Sequence, residues 1–523
     1  MIRSRPTSLP PPAAPGPARP LPSADPAAAV EWRQGAPLPA ARPRTLPALI
    51  AAARARAGSA TVLVDGGLTA TWPDLDRWSG RLAAQWGARV APGERIAIIA
   101  PNGLPHLLAE LAAWRLGAVA VPLCTGFGEA RLAALLALVA PRLLLAAAPL
   151  AGVPEATATL TPAALLAAAR SPGPVLERAA LPDDPCLIQF TSGSTGAPRG
   201  VVLSHDNLCS QQAAFALLWP EVGPGDRLAA YLPWHHSFGG LAERLWALAR
   251  GAQLTVVPGG GRDHEALLAT IRAVRPTVFM SVPKVHDLAI AGGAFAPGGL
   301  RWAFSAGAPL APGLAAWYAG HAIPLLEGWG LTEASPSCTI TPLGGAYGVG
   351  VVGPPIPGVS VGVRRADGRI LVRGPGVMRG YFRQEAPCLV DGVLDSGDLG
   401  AWAPEGLRLS GRADHQLKLP NGEKVCAAAL ERALLAQSGV AHAVVGVARD
   451  LVAVLDCPGG AATARAALAA VNAARSIPYE RIAAAFLLRQ RPSVENGLLT
   501  PSLKVARGRV LEALDRPGEV ERI

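Results

Sequence analysis

Between Leu46 and about Ala147, stretches patterned as strands alternate with stretches patterned as helices. This alternation limits the chain to few architectures. Pro73–Gln85 carries an amphipathic helical period, Arg95–Ala100 is a short apolar run, and Leu104–Leu116 is again helical. Val119–Leu123, Glu129–Val139 and Leu143–Ala147 then predict strand, helix and strand. Parallel strands need a long crossover, and a helix supplies one while covering a sheet face. The breaks fall at Pro92-Gly93 and Pro101-Asn102-Gly103, where turn residues punctuate the pattern. The fold class predicted is α/β, with a largely parallel sheet.

The next constraint is a loop. Cys186–Phe190 and Val201–Leu203 read as strands on either side of Thr191-Ser192-Gly193-Ser194-Thr195-Gly196-Ala197-Pro198-Arg199-Gly200. Glycines let backbone N–H groups turn toward an anion, and four hydroxyls add donors. Arg199 adds a permanent cation whose fork suits phosphate. A phosphate cradle and a plain Ser/Gly surface turn both fit the loop taken alone. The common G-x-x-x-x-G-K-[ST] loop is absent, and a strand follows here instead of a helix.

Several function classes drop out on composition. The net charge is +10 and the pI near 9.7, yet the basic residues form no stripe interleaved with aromatics, so nucleic-acid binding is disfavoured. A positive field also suits anionic small molecules. Only four of the 48 basic residues are lysines: Lys284, Lys418, Lys424 and Lys504. No segment reaches the ~18–20 uninterrupted apolar residues of a membrane helix. Seven scattered cysteines (Cys124, Cys186, Cys209, Cys338, Cys388, Cys426 and Cys457) show no metal-ligand spacing, which fits a reducing cytoplasm.

Residues 1–45 are rich in Pro, Ala and Arg and predict a disordered tail. Beyond the loop, Asp206–Leu218 reads as a helix with Ser204 as its cap, and Asp226–Leu232 as a strand running into Pro233-Trp234-His235-His236-Ser237-Phe238-Gly239-Gly240. Adjacent histidines on a strand point apart, so this pair suits a pocket wall better than a metal site. Leu241–Ala249 is a predicted helix. Strand Trp302–Ser305 runs into Ala306-Gly307-Ala308-Pro309-Leu310, and strand Pro324–Glu327 into Gly328-Trp329-Gly330-Leu331-Thr332-Glu333. Ligands of open α/β sheets sit at such carboxyl ends. Glycines beside Trp329 would let a flat ring stack on it, Thr332 offers a phosphate donor, and Glu333 a hard oxygen for Mg²⁺. A tight turn carrying an aromatic is the alternative.

From Gly348 short strands and Gly/Pro turns predict a small β-barrel subdomain. There Asp395-Ser396-Gly397-Asp398 puts a carboxylate where ribose hydroxyls could be held, or simply makes a turn. The last stretch, from Gly411-Arg412-Ala413-Asp414, predicts a separate α+β domain.

Taken together, Thr191–Gly200, Leu232–Gly240, Ala306–Leu310, Gly328–Glu333, Asp395–Asp398, Gly411–Asp414 and the Lys504 segment resemble the adenylate-forming (AMP-binding) superfamily over roughly Leu46–Val510. Asn421-Gly422-Glu423-Lys424-Val425 and Glu495–Lys504 look most like long- and medium-chain fatty acyl-CoA synthetases. The resemblance implies a large domain over 46–410 and a small mobile domain over 411–523, hinged at Asp414. It implies ATP-dependent activation of a carboxylic acid, expected to be a fatty acid, to an acyl-adenylate. Transfer to coenzyme A would follow, with Mg²⁺ as cofactor and release of AMP and pyrophosphate.

By the same resemblance, Thr191, Ser192, Gly193, Ser194, Thr195 and Gly196 wrap the ATP phosphates, with Arg199 as an auxiliary contact. Trp329, where Tyr is usual, stacks on adenine, and Ala308 lines the base. Thr332 touches the α-phosphate and Glu333 holds Mg²⁺. Asp398 and Arg412 fix the ribose. His236 gates acid pocket from thiol tunnel, Gly422 lies beside pantetheine, and Lys504 is the adenylation lysine. Arg199 replaces a usual Lys, Ser396 a usual Thr, and His235 a common aromatic. No aspartate follows Trp234 closely, which disfavours amino acids. An aryl or hydroxycinnamate CoA ligase and an acyl-AMP ligase loading an acyl carrier protein are the alternatives. A non-enzymatic nucleotide-binding scaffold is disfavoured, since Glu333, Asp398, Arg412 and Lys504 are all present.

Overall fold

A seven-stranded sheet carries the nucleotide-loop candidate. The structure is a computed structural model that describes residues 29–523 apart from 149, 193–197, 309, 311, 346–349, 414–415, 420–423, 449, 500–504 and 517. The sheet runs Gly380–Tyr381, Pro198–Ser204, Pro185–Ser192, Val119–Pro122, Arg95–Ile99, Leu143–Ala146 and Ala158–Leu160 in spatial order. From Pro185–Ser192 onward the pairing is parallel, while Pro198–Ser204 and Gly380–Tyr381 add antiparallel edges. Its central strands are buried on both faces, which is why they read as continuous apolar runs.

Local rules set the helices between these strands. Thr71 and Asp74 form a reciprocal cap at the start of Trp72–Trp86, and Ser204 and Asn207 do the same for His205–Leu218. Helix Leu104–Arg115 is buried almost all round, as a helix sandwiched between layers must be. The stretch expected to be one α-helix from Leu241 starts instead as a π-helical turn, Phe238–Leu245, and continues as Trp246–Arg250.

A second, four-stranded sheet holds the other candidate loops. Val278–Ser281, Trp302–Ala306 and Leu325–Gly330 run parallel, and Ser337–Ile340 closes the edge antiparallel. A third sheet joins Arg227–Ala230, Gln253–Val256, Thr61–Asp65 and Leu68–Thr71. The predicted barrel region is a six-stranded antiparallel sheet with bulges in two of its pairings. Among the described residues its ladder stays open, with Val30–Gln34 at one edge.

That edge strand corrects the expected tail. Residues 1–28 lie outside the described residues, but Val30–Gln34 pairs antiparallel with Ser360–Arg364. Trp32 lies under the Arg373 guanidinium at 4.3 Å, and Trp402 Nε1 donates to the Glu31 carbonyl. Arg42 and Arg44 both bind the Asp206 carboxylate, and Thr45 caps helix Leu46–Ala57. Pro-rich composition hid a short β-prone run whose partner lies some three hundred residues away.

Buried apolar side chains from Leu46 to Leu407 make one continuous cluster. Another gathers between Leu419 and Ala485, on strands His442–Val447, Leu451–Asp456 and Ala484–Leu488 with helices Ala427–Leu435 and Gly460–Ala473.

Candidate active site

Two strand ends and two cross-sheet contacts assemble the site. The loop candidate is the tip of a hairpin: Pro185–Ser192 pairs with Pro198–Ser204, with Thr191 opposite Arg199. Thr191 Oγ1 donates to the Arg199 carbonyl at 3.5 Å. Ser192 ends the first strand; Gly193, Ser194, Thr195 and Gly196 fall outside the described residues. The Arg199 guanidinium sits 5.4 Å from the Tyr381 ring. Tyr381 is paired with Val201 on the hairpin, and its hydroxyl donates to Glu333 Oε1 at 2.9 Å. Burial, then the Glu333 charge, pushes the Tyr381 phenol well above its ordinary range, so it stays a donor. The base of the loop and the expected Mg²⁺ ligand are therefore joined.

Thr332 and Glu333 start the 3₁₀ turn Thr332–Ala334 after strand Leu325–Gly330. Thr332 Oγ1 and Ser237 Oγ share a hydrogen bond of 3.0 Å, which brings the His235-His236 turn against the Thr332 turn. His236 Nδ1 accepts from the Phe238 N–H at 3.3 Å, leaving Nε2 to carry the proton of the neutral ring. Burial, with His106 and Arg262 nearby, holds His235 down at about 4, so that ring is uncharged at neutral pH.

Trp329 lies in a strand, not a loop. Its flanking glycines serve packing: a Cβ on Gly328 would lie 2.6 Å from the Phe304 ring, and one on Gly330 only 1.8 Å from the Pro336 carbonyl oxygen. The indole Nε1 donates to Asp398 Oδ2 at 2.9 Å, and Arg412 Nη1 reaches Asp398 Oδ1 at 3.4 Å. Asp398 and Arg412 face each other across adjacent strands, Val393–Ala403 and Gly406–Arg412. Ala308 is exposed just past strand Trp302–Ala306, whose Ala306 pairs with Gly328. The base and ribose candidates thus meet at one place.

Asp414, Gly422 and Lys504 lie outside the described residues. Three residues escaped the sequence reading: Ser237, Glu327 and Tyr381. Glu327 sits two residues before Trp329, and burial pushes its carboxyl up to about 7. An acid inside the apolar run Leu325-Leu326-Glu327 was its signal. Tyr381 had none, being 48 residues from its partner. Among the described residues no three His, Cys, Asp or Glu gather as a metal cage. A single carboxylate suits Mg²⁺, which keeps most of its ligands as water and substrate phosphate.

Residues 50–382 match the family described as AMP-binding enzyme. The chain belongs to that family. Feruloyl-CoA synthase from Amycolatopsis sp is 30% identical over 416 residues, covering 74% of this chain and 82% of that protein. A long-chain-fatty-acid–CoA ligase, FadD15 of Mycobacterium bovis, is 31% identical over 362 residues, covering 58% of this chain and 57% of that one. The crystal structure of ATP-bound MatB from Rhodopseudomonas palustris superposes with a TM-score of 0.76 at 25% identity, covering 90% of this chain and 99% of MatB. This AMP-binding enzyme is an acid–thiol ligase that uses ATP and coenzyme A. No helix among its described residues is long and apolar enough to cross a membrane.

Proposed function

We propose that this AMP-binding enzyme activates a compact carboxylic acid, aromatic or short, as its adenylate and passes the acyl group to coenzyme A. The observation that carries the substrate class is an aromatic floor. Ser237 shares a hydrogen bond with Thr332, and Phe238 is its neighbour in the chain. Phe238 stands edge-on to Phe304 at 5.7 Å, and Phe304 packs on Gly328 and, at 6.0 Å, on Trp219. Trp302 and Trp246 continue the stack, and all of these rings are buried. A flat ring can lie on such a floor, whereas a long acyl chain must displace it. The feruloyl-CoA synthase likeness supports the aromatic reading.

The carboxylate oxygen attacks the α-phosphorus of ATP and the bond to pyrophosphate breaks. The thiol sulfur then attacks the adenylate carbonyl, and AMP leaves as the thiol proton passes to solvent. Thr191 to Gly196 and Arg199 hold the phosphates, Trp329 and Ala308 the base, and Asp398 with Arg412 the ribose. Thr332 contacts the α-phosphate. Glu333, oriented by Tyr381, would hold Mg²⁺, which when bound would neutralise charge on the phosphates. Lys504 supplies a compact cation between carboxylate and α-phosphate. The domain carrying it, residues 411–523, turns about Asp414 so that Gly422 and His236 border the thiol path in the second step. The setting is a reducing cytoplasm.

A pyrophosphate-release screen over short, long-chain and aromatic acids, each with and without coenzyme A, tests this. Aromatic or short acids are expected to exceed long-chain acids at least tenfold in kcat/KM. A long-chain acid as the best substrate overturns the substrate class. Adenylate that coenzyme A cannot discharge would favour an acyl carrier protein as acceptor.

A further inference from the structure

We infer that Trp329 is a positioning residue for sugar recognition: its indole N–H aims the Asp398 carboxylate at the ribose hydroxyls. The inference rests on the nucleotide reading above. The Trp329 Nε1–H donates to Asp398 Oδ2 at 2.9 Å, and Arg412 Nη1 donates to Oδ1 at 3.4 Å. They come from different sheets. Trp329 lies on the strand Leu325–Gly330, while Arg412 lies on Gly406–Arg412, the neighbour of the strand holding Asp398.

Two donors on two oxygens fix the carboxylate plane before any ligand arrives. An ionised carboxylate only accepts, as the two hydroxyls of a cis-diol require. The indole bond is the shorter of the two, and it runs from a neutral donor to a charged acceptor, a strong class of hydrogen bond. Trp329 is 7% exposed and wedged by the close approaches at Gly328 and Gly330, so the ring has little room to turn away. Arg412, by contrast, has a side chain 42% exposed and holds the carboxylate through a longer, solvent-screened contact. The indole is thus the stiffer of the two restraints. A phenyl ring keeps the flat face but has no N–H to offer, so base stacking and sugar alignment separate in one substitution. One side chain couples the two.

The test compares wild type with Trp329→Phe, using ATP and 2′-deoxy-ATP in the acid-dependent pyrophosphate-release reaction and in direct nucleotide binding. Wild type is expected to prefer ATP. Trp329→Phe is expected to raise KM for ATP about 5- to 20-fold, to change KM for 2′-deoxy-ATP far less, and to lower kcat at saturating ATP less than KM rises. Loss of stacking alone would weaken both nucleotides equally, so an unchanged ATP to 2′-deoxy-ATP ratio overturns the inference and leaves the nucleotide reading intact. A wild type that binds neither nucleotide overturns both. Should Trp329→Phe fold poorly, the free protein gives a second readout. Replacing Asp398 with Asn is then expected to shift the Trp329 indole ¹⁵N–¹H resonance, because a charged acceptor is lost; an unmoved resonance rejects the contact.

Discussion

The phenol of Tyr381 donates a 2.9 Å hydrogen bond to Glu333 Oε1, joining the strand beside the proposed phosphate hairpin to the turn that carries the proposed Mg²⁺ ligand. Cys388 Sγ backs the same hydroxyl at 3.6 Å. Glu333 is therefore held at one oxygen. Tyr381→Phe removes the donor while keeping the ring under Arg199. The Mg²⁺ concentration for half-maximal pyrophosphate release is expected to rise about 3- to 10-fold, as for one hydrogen bond to a charged group. A magnesium titration at fixed ATP checks this; an unchanged midpoint would remove Tyr381 from the metal site.

Below the His236 turn lies a buried ion pair. Arg244 and Glu110 are 1% exposed or less and bonded to each other, His106 lies beside Glu110, and the guanidinium covers the Trp234 ring at 5.0 Å. Burial pushes the Glu110 carboxyl up, but Arg244 and His106 outweigh it and hold it below the usual range. Arg244→Met alone leaves a buried charge without its partner and is expected to cost about 3–5 kcal/mol. Adding Glu110→Leu is expected to restore most of that. Chemical denaturation of the single and double variants decides; equal stabilities would deny the pairing any role.

Acid sensitivity follows from two buried histidines. Burial pushes both His205 and His286 down from 6.5 to about 4. His205 Nδ1 accepts from the Leu46 N–H, and His286 Nδ1 is bonded to the Tyr318 hydroxyl. The folded protein keeps these rings neutral, whereas the unfolded chain protonates them near 6.5. Between those values the unfolded state binds more protons, so stability present above pH 6.5 is lost as pH falls toward 4. Going from pH 7 to pH 5 should cost up to about 2 kcal/mol per histidine. Thermal unfolding across that range is expected to show a falling Tm, and His286→Asn a flatter slope even if its Tm at pH 7 is lower. Parallel slopes would exonerate His286.

For Lys504 the expectation is a split between half-reactions. Lys504→Ala should lower acid-dependent pyrophosphate release by about 10²–10³, the usual loss for one preorganised charge contact. Thioester formation from supplied acyl-adenylate should survive, since the second step draws on other surfaces. Equal loss of both steps in a folded variant would reject this role.

Much of this protein was readable one element at a time. Helix Glu129–Val139 has the bounds that periodicity predicts, and the Ser204 cap sits where its residue type places it. The order of the loops at strand ends was likewise readable, because apolar period and turn chemistry act over a few residues. Contacts between distant segments left no such trace. Val30–Gln34 is a strand only because Ser360–Arg364 offers an edge. The close approach of Phe304 to Gly328 and of Pro336 to Gly330 was not legible either. The Tyr381–Glu333 and Trp329–Asp398 bonds span 48 and 69 residues. Local sequence determined which residues could bind a nucleotide. Tertiary packing decided which donors aim them, because hydrogen-bond geometry depends on where two separately folded strands come to rest.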